Sequence, residues 1–179
     1  MNEIIQLMIN NNYSEEAGLV ISKLFNIMIL KEMRGFCHAS SSILYVCLSE
    51  LGLLPKLVIG EANIGNKFFD HSWISLDGKI IDLAIALPLD YSDEVGPVIL
   101  DTDLLKNEKT IVEYGNNSGQ DFGEDTKKII ATNFTEYMNN APFEQGLWTF
   151  VKLILNKNIN IKELQQKYKN TIRFFPKNI

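Results

Sequence analysis

The sequence has few of the side chains that most often carry chemistry in a protein site. Its 179 residues include two cysteines, Cys37 and Cys47, and two histidines, His38 and His71. The two cysteines lie on one predicted helix, about 15 Å apart at ~1.5 Å of rise per residue, which is too far for a disulfide. We therefore expect reduced thiols, which are typical of the cytoplasm.

Strong positive charge and long apolar runs are also lacking. The net charge is −5, and no dense cluster of Lys and Arg interrupts the sequence, so the composition argues against a nucleic-acid partner. The longest apolar stretch, residues 24–30, is interrupted by Asn26 and is too short to span a bilayer. The first residues do not resemble a secretory signal. We expect a cytoplasmic protein with no membrane partner, although delivery by a specialised secretion system would leave no such signal.

The composition is that of an ordinary globular protein, with 46% hydrophobic and 22% charged residues. The length suits one domain with a substantial core. No internal repeat or low-complexity linker divides the chain. We predict a single domain over residues 1–179, with a core at about 14–115 and a C-terminal helical part at about 125–179. The oligomeric state is left open.

The segment around Cys37 predicts a buried helix that begins at the cysteine and ends near Glu50. Gly35 is a loop residue just before it. The apolar side chains that follow at helical spacing are Ile43, Leu44, Cys47, Leu48 and Leu51. Unpaired backbone N–H groups at a helix N-terminus favour a thiolate and can bind the oxyanion of a tetrahedral intermediate. Cys37 is therefore a candidate nucleophile, whereas Cys47 is interpreted as a structural thiol of the core.

The segment around His71 predicts a β-hairpin. An Asp-Gly dipeptide at 77–78 separates two apolar runs, which is the strongest short signal for a type I′ turn. This turn pairs Trp73 with Asp82 and His71 with Ala84. His71 and Asp82 then share one face of the hairpin as diagonal neighbours, roughly 7–8 Å apart at the backbone.

That register selects Asp82 as the partner of His71. A carboxylate in this position can hold the imidazole in one tautomer and stabilise its protonated form. Asp70, which precedes His71, points to the opposite face of the strand because side chains alternate. Cys37, His71 and Asp82 therefore have the residue types and the order of a nucleophile, a base and an orienting acid.

The remaining segments predict an antiparallel meander between two groups of helices. Residues 1–11 form a short helix or a lead-in. Residues 115–123 are either a flexible surface loop or a loop that gates the substrate. The other predicted elements are a helix at 14–33 capped by Ser14, a strand at 56–64, a loop at 88–96, strands at 98–100 and 111–114, helices at 125–139, at 142–157 beginning at Pro142 and at 160–170 capped by Asn160, and a docked tail at 174–176.

The ordered set of these motifs resembles the transglutaminase-like superfamily of cysteine enzymes. The matching residues are Gly35-Phe36-Cys37, the helix end Leu48-Ser49-Glu50-Leu51-Gly52-Leu53, the strand Pro55-Lys56-Leu57-Val58-Ile59-Gly60, His71-Ser72-Trp73 and Asp82. The resemblance implies an α+β fold with a papain-like core, in which the helix of the nucleophile packs on an antiparallel sheet. It also implies Cys37 as nucleophile, His71 as base and Asp82 as orienting acid.

Three further residues are expected to line the site or bind substrate. They are Phe36 and His38, which adjoin Cys37, and Trp73, which shares the face of His71 and can shield Asp82 or simply pack. The spacing of Cys and His matches no zinc signature, and no nucleotide motif is present, so no metal or cofactor is implied.

We expect acyl transfer from the amide of a peptide, a protein or a small molecule, with hydrolysis favoured over transfer to an amine. An arylamine N-acetyltransferase is an alternative, because that family also has a Cys-His-Asp triad, but Leu83-Ala84-Ile85 is not its glycine-rich run. A catalytically silent papain-like binding domain is another. It stays open because residues 27–36 contain no Gln or Asn to act as a second oxyanion donor.

Overall fold

The computed structural model describes residues 3–89, 95–115 and 118–176. These residues form a mixed α+β protein, as predicted, with helices before and after an antiparallel sheet. The helices are α1 Glu3–Asn10, α2 Glu15–Leu30, α3 Cys37–Glu50, α4 Glu124–Ala131, α5 Phe134–Asn139, α6 Trp148–Leu155 and α7 Ile161–Tyr168. The strands are β1 Lys56–Ile64, β2 Lys67–Leu76, β3 Lys79–Asp82, β4 Val98–Ile99, β5 Thr102–Asp103, β6 Glu108–Lys109, β7 Glu113–Gly115 and β8 Glu144–Leu147. A 3-10 turn, Ala84–Ala86, follows β3.

The sheet contains seven strands in the order β6-β5-β4-β3-β2-β1-β7. The predicted meander of β1, β2 and β3 is confirmed, and its strands pair antiparallel. The last strand, β7, does not pair with β6 but returns to the opposite edge and pairs with β1. This return brings residues near 114 beside β1, the first strand of the meander.

The hairpin register is confirmed where the ladder forms. Ile74 pairs with Ile81, and the two turn residues, Asp77 and Gly78, both have positive φ, as a type I′ turn requires. The predicted pairing of His71 with Ala84 is wrong. The strand ends at Asp82, and the chain then turns into the 3-10 helix that contains Ala84.

The helix that begins at Cys37 is confirmed at both ends. Gly35 reaches it with a φ of +63°, a conformation that L side chains rarely adopt. The serines at 40–42 are poor helix formers but are buried against neighbouring structure. The hydroxyl of Ser41, for example, donates to the carbonyl of Ser72 on β2 over 2.9 Å. Tertiary contacts therefore position the first turn of α3.

The predictions for the C-terminal helices need two corrections. The helix expected at 125–139 is broken into α4 and α5, because the side chain of Asn133 accepts a hydrogen bond from the N–H of Glu136 and starts a new helix there. The helix expected from Pro142 begins only at Trp148. It is preceded by β8, in which Gly146 has a φ of +58°.

Several other predictions are confirmed, some with shifted bounds. Ser14 caps α2 and Asn160 caps α7, each through its side-chain oxygen. The tail docks on β1, where Phe174 donates to the carbonyl of Leu57 (2.8 Å) and accepts from the N–H of Ile59 (2.9 Å). Residues 1–11 contain a short helix, α2 ends at Leu30 rather than near 33, and the strand predicted at 111–114 is found at Glu113–Gly115. Residues 90–94 of the predicted 88–96 loop and 116–117 of the 115–123 loop lie outside the described residues.

The main hydrophobic core lies between α3, the sheet and the helices α2, α5 and α6. Within the part of the chain that the structure describes, no helix combines the length and apolarity needed to cross a membrane.

Candidate active site

His71 and Asp82 form a buried pair at the end of the hairpin ladder. The Nε2 atom of His71 lies 2.7 Å from Oδ2 of Asp82. The two residues are 4% and 2% exposed. The diagonal contact that the hairpin predicts is therefore made.

The Asp82 carboxylate is held by backbone and side-chain donors in addition to His71. Its Oδ1 atom accepts hydrogen bonds from the N–H groups of Ala84 (3.1 Å) and Ile85 (3.2 Å). Its Oδ2 atom also accepts one from the hydroxyl of Tyr114 (2.9 Å). Both oxygens are thus engaged twice, and the carboxylate has a single orientation towards the imidazole.

Sequence reasoning predicted a strand around Tyr114 but gave the residue no role. Its position depends on the return of β7 to β1, where Ala62 pairs with Tyr114. Gly60 permits this close packing, because an added Cβ there would lie 2.4 Å from the carbonyl oxygen of Gly115. A tyrosine hydroxyl near an orienting acid has no local sequence signal.

The charges around His71 favour the imidazolium. Burial by itself would lower the pKa of His71. The charge of Asp82, the charge of Cys37 and hydrogen bonds to both side chains outweigh burial and raise the pKa to about 10. Because Asp82 occupies Nε2, Nδ1 is the ring nitrogen left to face the sulfur of Cys37. The three predicted residues are therefore brought together in the predicted order.

Cys37 is the first residue of α3 and is 8% exposed. The N–H of Ser40 donates to the carbonyl of Phe36 over 2.8 Å and closes the first turn. The N–H groups of residues 37–39 therefore have no partner within the helix, and this end can bind a developing oxyanion.

Cys47 differs from Cys37 although both thiols are free. Its side chain is fully buried, and burial raises its pKa, with a further contribution from Glu50. The interpretation of Cys47 as a structural thiol agrees with this environment.

The residues predicted as site walls have different surroundings. Phe36 packs edge-on against Phe150 of α6, with ring centroids 6.2 Å apart. Trp73 is 3% exposed and packs against Tyr114 at 5.0 Å. This contact covers the tyrosine that holds Asp82.

His38 is held between β2 and α4. Its Nδ1 atom lies 2.5 Å from the hydroxyl of Ser72, and its Nε2 atom lies 3.5 Å from that of Thr126. Burial, together with the charges of His71 and Arg173, lowers its pKa to about 4. His38 is therefore neutral at pH 7, and it links the helix of Cys37 to α4.

Sequence reasoning missed Tyr137 on α5, which is influenced by Cys37, and Arg173 in the tail, which contacts Tyr137. Burial raises the pKa of Tyr137, the charge of Cys37 raises it further, and Arg173 lowers it. The guanidinium of Arg173 lies 5.4 Å from the centre of the Tyr137 ring. The position of Tyr137 depends on the break between α4 and α5, which the predicted continuous helix did not include. The position of Arg173 depends on the pairing of the tail with β1.

The described residues contain no group of three or more His, Cys, Asp and Glu side chains that could hold a metal ion. No family model matches the chain, and neither a curated protein nor a solved structure matches it. The functional argument therefore depends on the geometry of these side chains.

Proposed function

We propose that this protein is a cysteine enzyme of the transglutaminase-like, papain-fold type that cleaves an amide bond through Cys37, His71 and Asp82. The observation that carries the proposal is the buried contact of His71 with Asp82 (2.7 Å), together with the influence of Cys37 on the same imidazole. A sulfur, an imidazole and a fully engaged carboxylate in this order are the parts of a thiol-based acyl-transfer site.

The first half of the reaction forms an acyl-enzyme. The imidazolium of His71 beside Cys37 favours the thiolate, which attacks the carbonyl carbon of the amide. The N–H groups at the start of α3 stabilise the resulting oxyanion. His71 then donates its proton to the nitrogen of the leaving amine, the C–N bond breaks, and a thioester remains on Cys37.

The second half releases the acyl group. Water attacks the thioester carbonyl while neutral His71 accepts its proton. The C–S bond then breaks, the product leaves as a carboxylic acid, and the thiolate–imidazolium pair is restored. We favour water over an amine as acceptor because hydrolysis needs no second substrate pocket. Asp82 orients His71 and stabilises its charged form throughout.

Tyr137 is our candidate for the second oxyanion donor, which the residues before Cys37 do not supply. Burial and the charge of Cys37 both act on its hydroxyl and raise its pKa, and its ring packs against the core cluster that contains Cys37. A phenol near the sulfur can donate to the oxyanion of a tetrahedral intermediate.

The proposal is tested by alkylation with iodoacetamide at pH 7. We expect Cys37 to react at least about a hundred times faster than Cys47, since a buried structural thiol is inert. Peptide mass spectrometry assigns the label to each cysteine, and the Cys47→Ala variant serves as the matched control. His71→Ala should slow labelling of Cys37. Equal, slow labelling of both cysteines would refute the proposal.

A further inference from the structure

A cavity of about 340 Å³ lies where the junction of α4 and α5 meets the C-terminal tail. Two cations, Lys169 and Arg173, are among the described residues that line it, and none of those residues is acidic. The lining therefore carries a net positive charge in a chain whose net charge is −5. The cavity is therefore electrostatically suited to an anion.

The guanidinium of Arg173 has a backbone partner but no carboxylate partner among the described residues. Its Nη1 atom donates to the carbonyl of Thr132 over 2.8 Å. Its centre lies 5.8 Å from the ring of Phe134 and 5.4 Å from that of Tyr137. The Nη2 atom is buried and has no hydrogen-bond partner among the described residues. A buried N–H of a charged group without an acceptor is costly, and an anion would relieve that cost.

Arg173 also connects this cavity to the candidate active site. Its guanidinium stacks on Tyr137, whose hydroxyl is influenced by the charge of Cys37. On another side it influences His38, which follows Cys37 in α3. An anionic group bound by Arg173 would thus lie beside the ring of Tyr137, which is within electrostatic range of Cys37. Because Nη2 is buried, an anion in the cavity reaches it only if the arginine changes its rotamer, and such changes are common on binding.

We propose that the cavity beside Arg173 binds a carboxylate of the substrate, so that the amide attacked by Cys37 belongs to a molecule that carries a free carboxylate several bonds from the scissile carbonyl. This inference rests on the proposed function. The planar guanidinium provides paired N–H donors for a carboxylate, which a lysine at the same place would not.

The first experiment measures binding without catalysis. The Cys37→Ala variant is titrated by NMR with N-acetylglycine and with N-acetylglycinamide, which differ only in the carboxylate. We expect the acid to bind about tenfold more tightly, as a charge-assisted hydrogen bond implies. Adding Arg173→Met should abolish this preference. Adding Lys169→Met, which removes an exposed charge from the same cavity, should retain most of it.

The second experiment uses the reactive sulfur itself. The ratio of the rates at which iodoacetate and iodoacetamide label Cys37 reports the positive charge near it. We expect Arg173→Met to lower this ratio about threefold, and Arg173→Lys, which keeps the charge, to leave it near the wild-type value. A melting temperature for each variant separates these effects from loss of the fold. If Arg173→Met does not fold, the carboxylate preference of Arg173→Lys decides, because an ammonium should bind N-acetylglycine less tightly than the fork of arginine.

The outcomes distinguish the two proposals. If Cys37 labels as slowly as Cys47 but the carboxylate preference depends on Arg173, the anion site stands and the cysteine chemistry fails. If Cys37 is reactive but the acid and the amide bind equally, the carboxylate site is refuted and the proposed function remains. Tighter binding of inorganic phosphate than of N-acetylglycine would also refute a carboxylate site.

Discussion

The two sides of Cys37 differ in how completely their polar groups are paired. On the hairpin side, each oxygen of Asp82 accepts two hydrogen bonds, and His71 is held by one of them. On the α5 side, Nη2 of Arg173 is buried and has no hydrogen-bond partner among the described residues. The difference indicates which groups are oriented by the protein and which are available to bind a ligand. Pairing inside the protein orients the base, whereas the unpaired donor of Arg173 belongs to a residue that lines the cavity proposed to bind substrate.

The largest effect on Cys37 reactivity is expected on the hairpin side, when Asp82 loses its charge. Asp82→Asn removes the charge that raises the pKa of His71 and should lower the rate of Cys37 alkylation at pH 7 about a hundredfold, comparable to breaking a buried ion pair. The rate is measured with iodoacetamide. Asp70→Asn is the matched control, because Asp70 adjoins His71 but accepts from the N–H of Gly123 instead. Similar losses of alkylation rate in both variants would show that Asp82 is not the residue that orients His71.

The hairpin side is also the part of the site that could be predicted from the sequence. The helix from Cys37 to Glu50 and the register of β2 and β3 follow from local signals, namely helical periodicity and an Asp-Gly turn. These signals act over a few residues, so they bring His71 to Asp82 without reference to the rest of the chain. The contact between them needed no information on tertiary structure.

The α5 side, with Tyr137 and Arg173, could not be predicted in the same way. Tyr137 reaches the site because α4 ends and Asn133 starts a new helix, and Arg173 reaches it because the tail pairs with β1. An asparagine within an apolar periodic segment is a weak signal for a break. Pairing between a tail and a strand more than a hundred residues earlier has no local signal. Tyr114 was missed for the same reason.

His38 reports on both sides of Cys37, because burial and the charges of His71 and of Arg173 all lower its pKa. Its pKa is about 4 in the folded protein and near 6.5 when unfolded. The unfolded state therefore binds a proton first as the pH falls. The stabilisation that neutral His38 provides is complete above pH 6.5 and is lost as the pH falls towards 4.

His38→Gln should accordingly lose less stability over this window, by about 2 kcal/mol relative to wild type. Urea denaturation at pH 7, 5.5 and 4.5 provides the measurement. His71 does not mask the effect, because its raised pKa gives a stabilisation that is already complete below pH 6.5 and declines only as the pH rises towards 10. Parallel pH profiles for the two proteins would show that His38 is not held neutral.

A smaller effect, on the affinity for an aldehyde, is expected on the α5 side at Tyr137. Tyr137→Phe keeps the ring under Arg173 but removes the proposed second donor, so an aldehyde that forms a tetrahedral adduct with Cys37 should bind about tenfold less tightly. N-acetylglycinal is a suitable probe. Alkylation of Cys37 by iodoacetamide, which forms no oxyanion, should stay at the wild-type rate. A loss in alkylation equal to the loss in aldehyde affinity would instead indicate a general disturbance of the site.

The smallest effect is expected from Tyr114, since it is one of four donors to the Asp82 carboxylate. Tyr114→Phe keeps the packing against Trp73 but removes a 2.9 Å hydrogen bond. It should lower the free energy of unfolding by about 1 kcal/mol. Tyr13→Phe is the matched control, because it removes a 2.7 Å hydrogen bond to the exposed carboxylate of Asp77, where water replaces the lost donor. If urea denaturation finds the same free energy of unfolding for the two variants, burial does not strengthen the tyrosine contact with Asp82. The Tyr114 hydrogen bond would then not be needed to hold the Asp82 carboxylate.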